Sequence, residues 1–379
     1  LLSFGVFLPF VQSTLERVTR VSIIGTFLAD FFPSRLSTYT ENKFKKVERM
    51  DILVTGSIAF DYLMRFPGKF KDSLIAEALE KISVSFLVDE MTRHYGGVAA
   101  NIAYNLALLG GRPRLMGTAG RDFGDYKVWL EQAGVDTSTV VVLTDVFTAS
   151  FFANTDQENN QIASFYAGAM GRAGQYKIND VTNKRPDLVV ISPNSPDAMQ
   201  NLINECAEHK IPFLYDPSQQ AARLDGDALL HGIERCNILM CNDYEWEVIE
   251  KKTGLSRPRA INTGLTLIIT QGKEGAHIYR DGETYYIPPY EPVTPLEPTG
   301  VGDAFRAGVL RGLDLGLPLD ICGRIGSVAA AFVLETIGTQ NHRYTAEQFV
   351  ARYRTAFDDD GALDVLLSST TPKETQTAS

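Results

Sequence analysis

The chain of 379 residues holds only four cysteines, Cys206, Cys236, Cys241 and Cys322, with no CxxC pair and no histidine at zinc-ligand spacing. This excludes a disulfide framework and reads as buried thiols in a reducing cytoplasm. Positive charge is also scarce, since 36 Lys and Arg against 46 Asp and Glu leave a net charge of −10. That balance argues against nucleic-acid and acidic-membrane partners, though a local cationic pocket for a small anion is compatible with it. Long apolar runs are missing too. The stretch from Leu1 to Phe10 has no basic flank, and Gln12, Glu16 and Arg17 interrupt it short of the roughly 20 residues of a membrane span. No repeat and no low-complexity tract occurs. The first strand candidate continues as Thr55-Gly56-Ser57-Ile58, without the G-x-G-x-x-G turn of a dinucleotide-binding oxidoreductase.

Met50 is the first methionine, and a strand pattern begins directly after it. Residues 1–49 are therefore expected to be an extension outside the fold, translated ahead of the true start. A targeting or membrane segment is the alternative. The Ser- and Thr-rich tail over 368–379 is expected to be disordered. The remainder, 50–367, is long enough to bury a large core.

The most informative stretch is Pro298-Thr299-Gly300-Val301-Gly302-Asp303, followed by Phe305, Val309, Leu310 and Leu313 at helical spacing. Glycines ahead of a helix let backbone N–H groups approach a ligand, and the free N–H groups of the first turn favour an anion, a phosphate above all. Asp303 would repel that phosphate unless it has another task, such as taking the proton from a hydroxyl that attacks phosphorus. The competing reading is an Asp-capped helix after a glycine turn.

Elsewhere, short apolar runs alternate with helical patterns. Asp51–Ser57, Asp187–Ser192, Ile211–Asp216, Asn237–Cys241 and Leu265–Thr270 read as buried strands, with helices near Asp197–His209 and Asp227–Ile233 and another containing Trp246. This βαβ series predicts an α/β fold with a doubly wound, mainly parallel sheet flanked by helices and ligands at the strand C-termini. Ser83–Val88, Thr148–Asn154 and Gln161–Tyr166 have strand character outside this rhythm and are expected to form a small β lid, from about 61–95 and 148–170. Four sites at element ends carry further chemistry. Asp61 suits sugar hydroxyls or a turn cap. Gly96-Gly97 opens a helix, with Asn101 one turn in, either for substrate or for solvent. Asn242 and Glu245 suit a hydrated Mg²⁺ or a capping box. Thr270, Gly272 and Gly275 suit a nucleotide or a plain hairpin turn.

Together these pieces resemble the ribokinase or PfkB family of small-molecule kinases, over about Asp51 to Tyr353. Gly96-Gly97-Val98-Ala99-Ala100-Asn101 is similar to the family's amino-terminal signature, and Pro298 through Gly308 to its carboxy-terminal one, with Asn242 to Glu245 matching N-x-x-E between them. The resemblance implies a ribokinase-like fold that transfers phosphate from ATP to an alcohol. Asp303 would be the base, with Gly300, Val301 and Gly302 as anion-hole donors. Asn242 and Glu245 would organise Mg²⁺ through water. Asp61, Gly97 and Asn101 would hold the acceptor, and Thr270, Gly272 and Gly275 would line the ATP side. A monovalent cation is an open addition, as is the choice between monomer and homodimer.

The lid segments look most like bacterial adenosine kinases, which implies a nucleoside acceptor whose base would lie on Phe152 and Phe165, with Tyr166 nearby. A sugar acceptor such as ribose or fructose is the alternative, and a non-catalytic sensor a further one. Three departures from the family pattern stand out. Glu297-Pro298 replaces the usual Asp-Thr, Asp156 to Met170 contains no arginine, which turns attention to Arg172 and Arg306, and Asp216 is followed by Pro217-Ser218-Gln219.

Overall fold

Ile52–Thr55 (β1) is a run of four buried residues, and such a run can only be covered on both faces. In the computed structural model, which describes residues 49–73, 84–292 and 294–368, β1 lies inside a nine-stranded sheet. The extension expected over 1–49, apart from residue 49, and the tail beyond 368 lie outside the described residues.

The sheet runs β13-β12-β11-β10-β9-β8-β1-β4-β5. Its parallel members are β1, Arg114–Gly120 (β4), Val140–Leu143 (β5), Leu188–Ile191 (β8), Phe213–Tyr215 (β9), Ile238–Asn242 (β10) and Thr266–Thr270 (β11). Ala276–Arg280 (β12) and Glu283–Ile287 (β13) add an antiparallel edge. From β1 the chain winds one way to β4 and β5, then the other way through β8 to β11, so the ligand crevice falls at the strand C-termini around β1.

Helices cover both faces, namely Val98–Leu108 (α1), Gly124–Ala133 (α2), Pro196–Glu208 (α3), Gly226–Ile233 (α4), Asp243–Thr253 (α5), Val301–Asp314 (α6) and Leu319–Leu334 (α7). The cluster on one face includes Val54, Ile102, Leu106, Val309 and Val328, and the cluster on the other includes Leu53, Val189, Leu202 and Trp246. Strict alternation along β1, with Val54 in one and Leu53 in the other, is why both faces need cover. Helices α6 and α7 meet through small residues. A Cβ on Gly308 would lie 2.5 Å from Gly326 Cα, so the pair sets how closely α6, which carries Asp303, can approach its neighbour.

A second sheet of four strands has the order β3-β2-β6-β7 and comprises Ala59–Arg65 (β2), Glu90–Gly96 (β3), Ala149–Thr155 (β6) and Gln161–Tyr166 (β7). The expected strands at 148–154 and 161–166 are found. The one at Ser83–Val88 is not, because Val84–Val88 form no strand and Ser83 lies outside the described residues. Phe86 instead packs its ring on Phe66 and Phe70, at 5.0 and 4.9 Å, while Leu87 is exposed. The true strand, β3, reads as polar because it is an edge with little burial. The turn-cap reading of Asp61 also fails, since Asp61 sits inside β2.

Candidate active site

The loop ahead of α6 turns at Gly300, whose φ of 81° lies in the left-handed region that a side chain would strain. The Val301 amide folds back on Pro298 O at 3.3 Å. The amides of Gly302 and Asp303 have no partner among the described residues, which leaves two donors at the positive end of a 14-residue helix. Of the three residues expected to supply N–H groups, Val301 is thus partly occupied, and the Asp303 amide is an additional donor.

Asp303 is the third residue of α6 and does not cap it. Its Oδ2 accepts a 2.9 Å hydrogen bond from Asn101 Nδ2. Burial pushes the carboxyl up to about 7, and Asp216 and Glu245 add to that shift while Arg306 and the Asn101 bond oppose it. A carboxyl poised there suits proton abstraction near neutral pH. Asn101, expected at the substrate or in solvent, is buried, with one amide N–H on Asp303. Asn101 Oδ1 lies 2.9 Å from both Thr339 Oγ1 and Gln340 Nε2.

Asp61 enters the crevice from β2, half-buried. Burial and the nearby Glu297 carboxylate raise it to about 6. Gly96 is needed beside it, because a Cβ there would collide with Asp61 Oδ2. Gly97, at the start of α1 with φ 93°, lies against the backbone of Ser57 and Ala59. Glu297, in the position where the family usually has Asp, accepts the Gly338 amide at 2.8 Å.

Strand register separates the aromatics. Asp61 pairs with Phe151, which pairs with Phe165, so these three share one face of the small sheet. Tyr62 pairs with Phe152 and stacks on it at 4.9 Å, on the opposite face. The expected site residue Phe152 therefore points away from Asp61, and so does Tyr166, which pairs with Ser150 opposite Phe60. Phe165 stays, and Phe151, which the sequence did not single out, joins it. The period of two forbids adjacent residues from sharing a face, and the sequence did not say which of the pair looked inward.

At the far end of the crevice, Asn242 and Glu245 form a reciprocal capping box, with Asn242 Oδ1 accepting from Glu245 N at 2.7 Å and Glu245 Oε2 accepting from Asn242 N at 2.9 Å. Burial, reinforced by Asp216, raises the Glu245 carboxyl above its ordinary range. The capping reading is therefore present, and it leaves Glu245 Oε1 outside the cap. Among the described residues no three acidic, His or Cys side chains converge as a metal cage. Thr270 lies beside Asn242 in the β10–β11 register. The turn that follows, Gly272 to Gly275, joins antiparallel β11 and β12, so it is also a hairpin turn. Open space surrounds Gly272, whereas Gly275 packs on Ile287 O.

Arg306, one turn beyond Asp303, is buried against Asp216, with Nε to Oδ2 at 2.5 Å and Nη2 to Oδ1 at 2.7 Å. Ser218 Oγ donates to the same carboxylate at 2.7 Å. Burial disfavours the guanidinium charge, but Asp216 and Asp303 outweigh that and hold its pKa above the ordinary range. The other candidate cation, Arg172, instead pairs with Asp145 at an exposed position. Asp216 and Ser218 were visible only as a departure from the family pattern. Thr339 and Gln340 carried no signal, because their role depends on a loop distant in sequence from everything they touch.

Known proteins resemble this chain over most of its length. The family model described as pfkB family carbohydrate kinase matches residues 57–346. A nucleoside kinase of Methanocaldococcus jannaschii is 28% identical over 303 residues, covering 79% of this chain and 96% of the relative. A ribokinase of Bacillus subtilis is 25% identical over 249 residues, 65% of this chain and 83% of the relative. Among solved structures, the nucleoside kinase of Burkholderia thailandensis in complex with inosine is 36% identical with a TM-score of 0.69, covering 81% of this chain and 98% of that one. The same enzyme is known with ADP-inosine.

Proposed function

The chain belongs to the PfkB family of carbohydrate kinases and is a nucleoside or sugar kinase, and from that premise we propose that it transfers the γ-phosphate of ATP to the 5′-hydroxyl of a nucleoside, adenosine first among acceptors. The carrying observation is the Asn101–Asp303 hydrogen bond, which joins the two signature segments at a helix N-terminus beside a carboxyl poised near 7.

Asp303 Oδ2 is engaged by Asn101, so Oδ1 takes the hydroxyl proton as the alkoxide oxygen bonds to phosphorus and the bond from phosphorus to the β-phosphate oxygen breaks, releasing ADP. The amides of Gly302 and Asp303 offset charge on the transferring group, with Gly300 giving the loop its turn. Asp61, assisted by Glu297, holds the sugar hydroxyls, with Gly96 leaving room for the Asp61 carboxylate and Gly97 letting α1 start against the backbone of Ser57 and Ala59. Phe151 and Phe165 supply apolar surface for the base. The open turn at Gly272 and the end of β11 at Thr270 suit the nucleotide.

The residues present fit Mg²⁺ held through water and the phosphates, since Glu245 keeps one carboxylate oxygen outside the cap and Asn242 stands beside it. Bound there, Mg²⁺ would neutralise phosphate charge. A sugar kinase is the second reading, drawn from the similarity to a ribokinase, and it would use Asp303 and Asp61 in the same way.

The test is ADP release from MgATP by the full chain with adenosine, inosine, cytidine, ribose and fructose, with Asp303→Asn as control. Nucleoside-dependent turnover that collapses in the variant supports the reading. Turnover with free sugars alone moves the acceptor to the second reading.

A further inference from the structure

We infer that Trp129 and Gln340 are positioning residues that fix the direction of a buried hydrogen-bond relay and so compel Asn101 to present a donor to Asp303. The relay crosses four elements. Trp129 Nε1 on α2 donates to Gln340 Oε1 at 3.2 Å, Gln340 Nε2 donates to Asn101 Oδ1 at 2.9 Å, and Asn101 Nδ2 on α1 donates to Asp303 Oδ2 on α6 at 2.9 Å.

A primary amide can be turned end for end at little steric cost, so neither Gln340 nor Asn101 chooses its own orientation. An indole N–H can only donate, which assigns the Gln340 oxygen to Trp129 and its NH₂ to Asn101. A second fixed end agrees. Gly96 O can only accept and takes the Tyr126 hydroxyl proton at 2.8 Å, leaving the Tyr126 oxygen to accept from Gln340 Nε2 at 2.6 Å. Two ends that cannot reverse thus set the same sense, and Asn101 Oδ1 accepts from Gln340 Nε2, with the Thr339 hydroxyl also 2.9 Å from it. The indole itself is held by Arg343, whose guanidinium carbon lies 4.4 Å from the ring centroid, and by Tyr95 at 5.4 Å.

The consequence lies at Asp303. A reversed Asn101 would place a carbonyl oxygen against the carboxylate, whereas the observed sense stabilises the ionised form and leaves Oδ1 to take a proton. The charged groups facing Asp303 are Arg306 on its own helix, Asp216 after β9 and Glu245 on α5. None of them is altered by substitutions at 129 or 340.

The inference rests on Asp303 being the base, and its test separates the two claims. Trp129→Phe keeps the ring and removes the donor, while Gln340→Met keeps the length and removes both polar ends. Each is expected to move the acid limb of the kcat profile for nucleoside phosphorylation upward, by about one pH unit for Gln340→Met and less for Trp129→Phe, the order expected when a carboxylate is deprived of a charge-assisted bond. Above the limb, kcat should stay within about threefold of the unsubstituted enzyme. A merely structural role would lower kcat equally at every pH, and that result overturns the relay. Carboxyl ¹³C NMR of the Asp-labelled full chain, with the Asp303 signal assigned by its loss in Asp303→Asn, gives a readout independent of turnover. An Asp303 titration unmoved in both variants also overturns the relay. If the unsubstituted protein phosphorylates no acceptor, the proposed function fails, and the carboxyl titration still decides the relay.

Discussion

Asn101 and Asp303 stand 202 residues apart in the chain and 2.9 Å apart in the fold. The hydrogen bond brings the N-terminal turn of α1 against that of α6, so both positive helix ends face one crevice beside a buried carboxyl. That arrangement can hold a phosphate and a base together, with the helix ends offsetting part of the repulsion between them.

Asp303→Asn keeps the shape and the proximity to Asn101 but removes the proton acceptor. We expect kcat to fall by about 10² to 10⁴, with the KM for ATP changed by less than about threefold. Steady-state ADP release measures both. A variant retaining more than a tenth of the rate would remove Asp303 from the base role.

The same carboxyl makes activity and stability depend on pH in opposite senses. The folded protein holds the Asp303 proton up to about pH 7, while the unfolded chain releases it near the ordinary 3.8. Between these values the folded state binds more protons, so this group's contribution to stability falls as the pH rises through the window and stays low above it. Asp61, raised to about 6, acts in the same direction. Activity needs the ionised form and should therefore rise toward pH 7. Asp303→Asn should raise Tm by about 2 °C or more at pH 8, with the gain shrinking toward pH 4. Thermal denaturation at the two pH values checks the sign.

Arg306 and Asp216 form a buried pair at 2.5 Å. Arg306→Met leaves the Asp216 carboxylate without its cation and should cost about 3–5 kcal/mol, whereas adding Asp216→Leu should restore much of that. Urea unfolding of the single and double variants measures the coupling. Additive destabilisation would mean that the pair does not act as a unit.

The two faces of the small sheet give a specificity prediction. Phe165→Ala should raise the KM for a nucleoside by about tenfold, the order expected when an aromatic ring is removed from a base pocket, and should leave any turnover with ribose unchanged. Phe152→Ala, on the face of Tyr62, should change the nucleoside KM by less than about twofold. The reverse result would place the base on the outer face.

Much of this protein was legible in short windows of its sequence. Buried runs such as Leu188–Ile191 suit sheet interior, the glycine turn before Val301 suits close approach of backbone to a ligand, and the Asn242–Glu245 spacing suits a capping box at a helix start. These rules act over a few residues, so the doubly wound sheet and the loop carrying Asp303 could be read directly. The tertiary structure alone decided what depends on register and on distant neighbours. It put Phe165 and Phe151 with Asp61 and turned Phe152 away, because a strand's inward face is set by its partner strands. It replaced the expected strand at Ser83–Val88 with a polar edge strand, because apolar residues also serve ring clusters. It also surrounded Asn101 with Asp303 and the adjacent pair Thr339-Gln340, three segments far apart in sequence that meet only because α1, α6 and the loop after α7 pack at one end of the sheet.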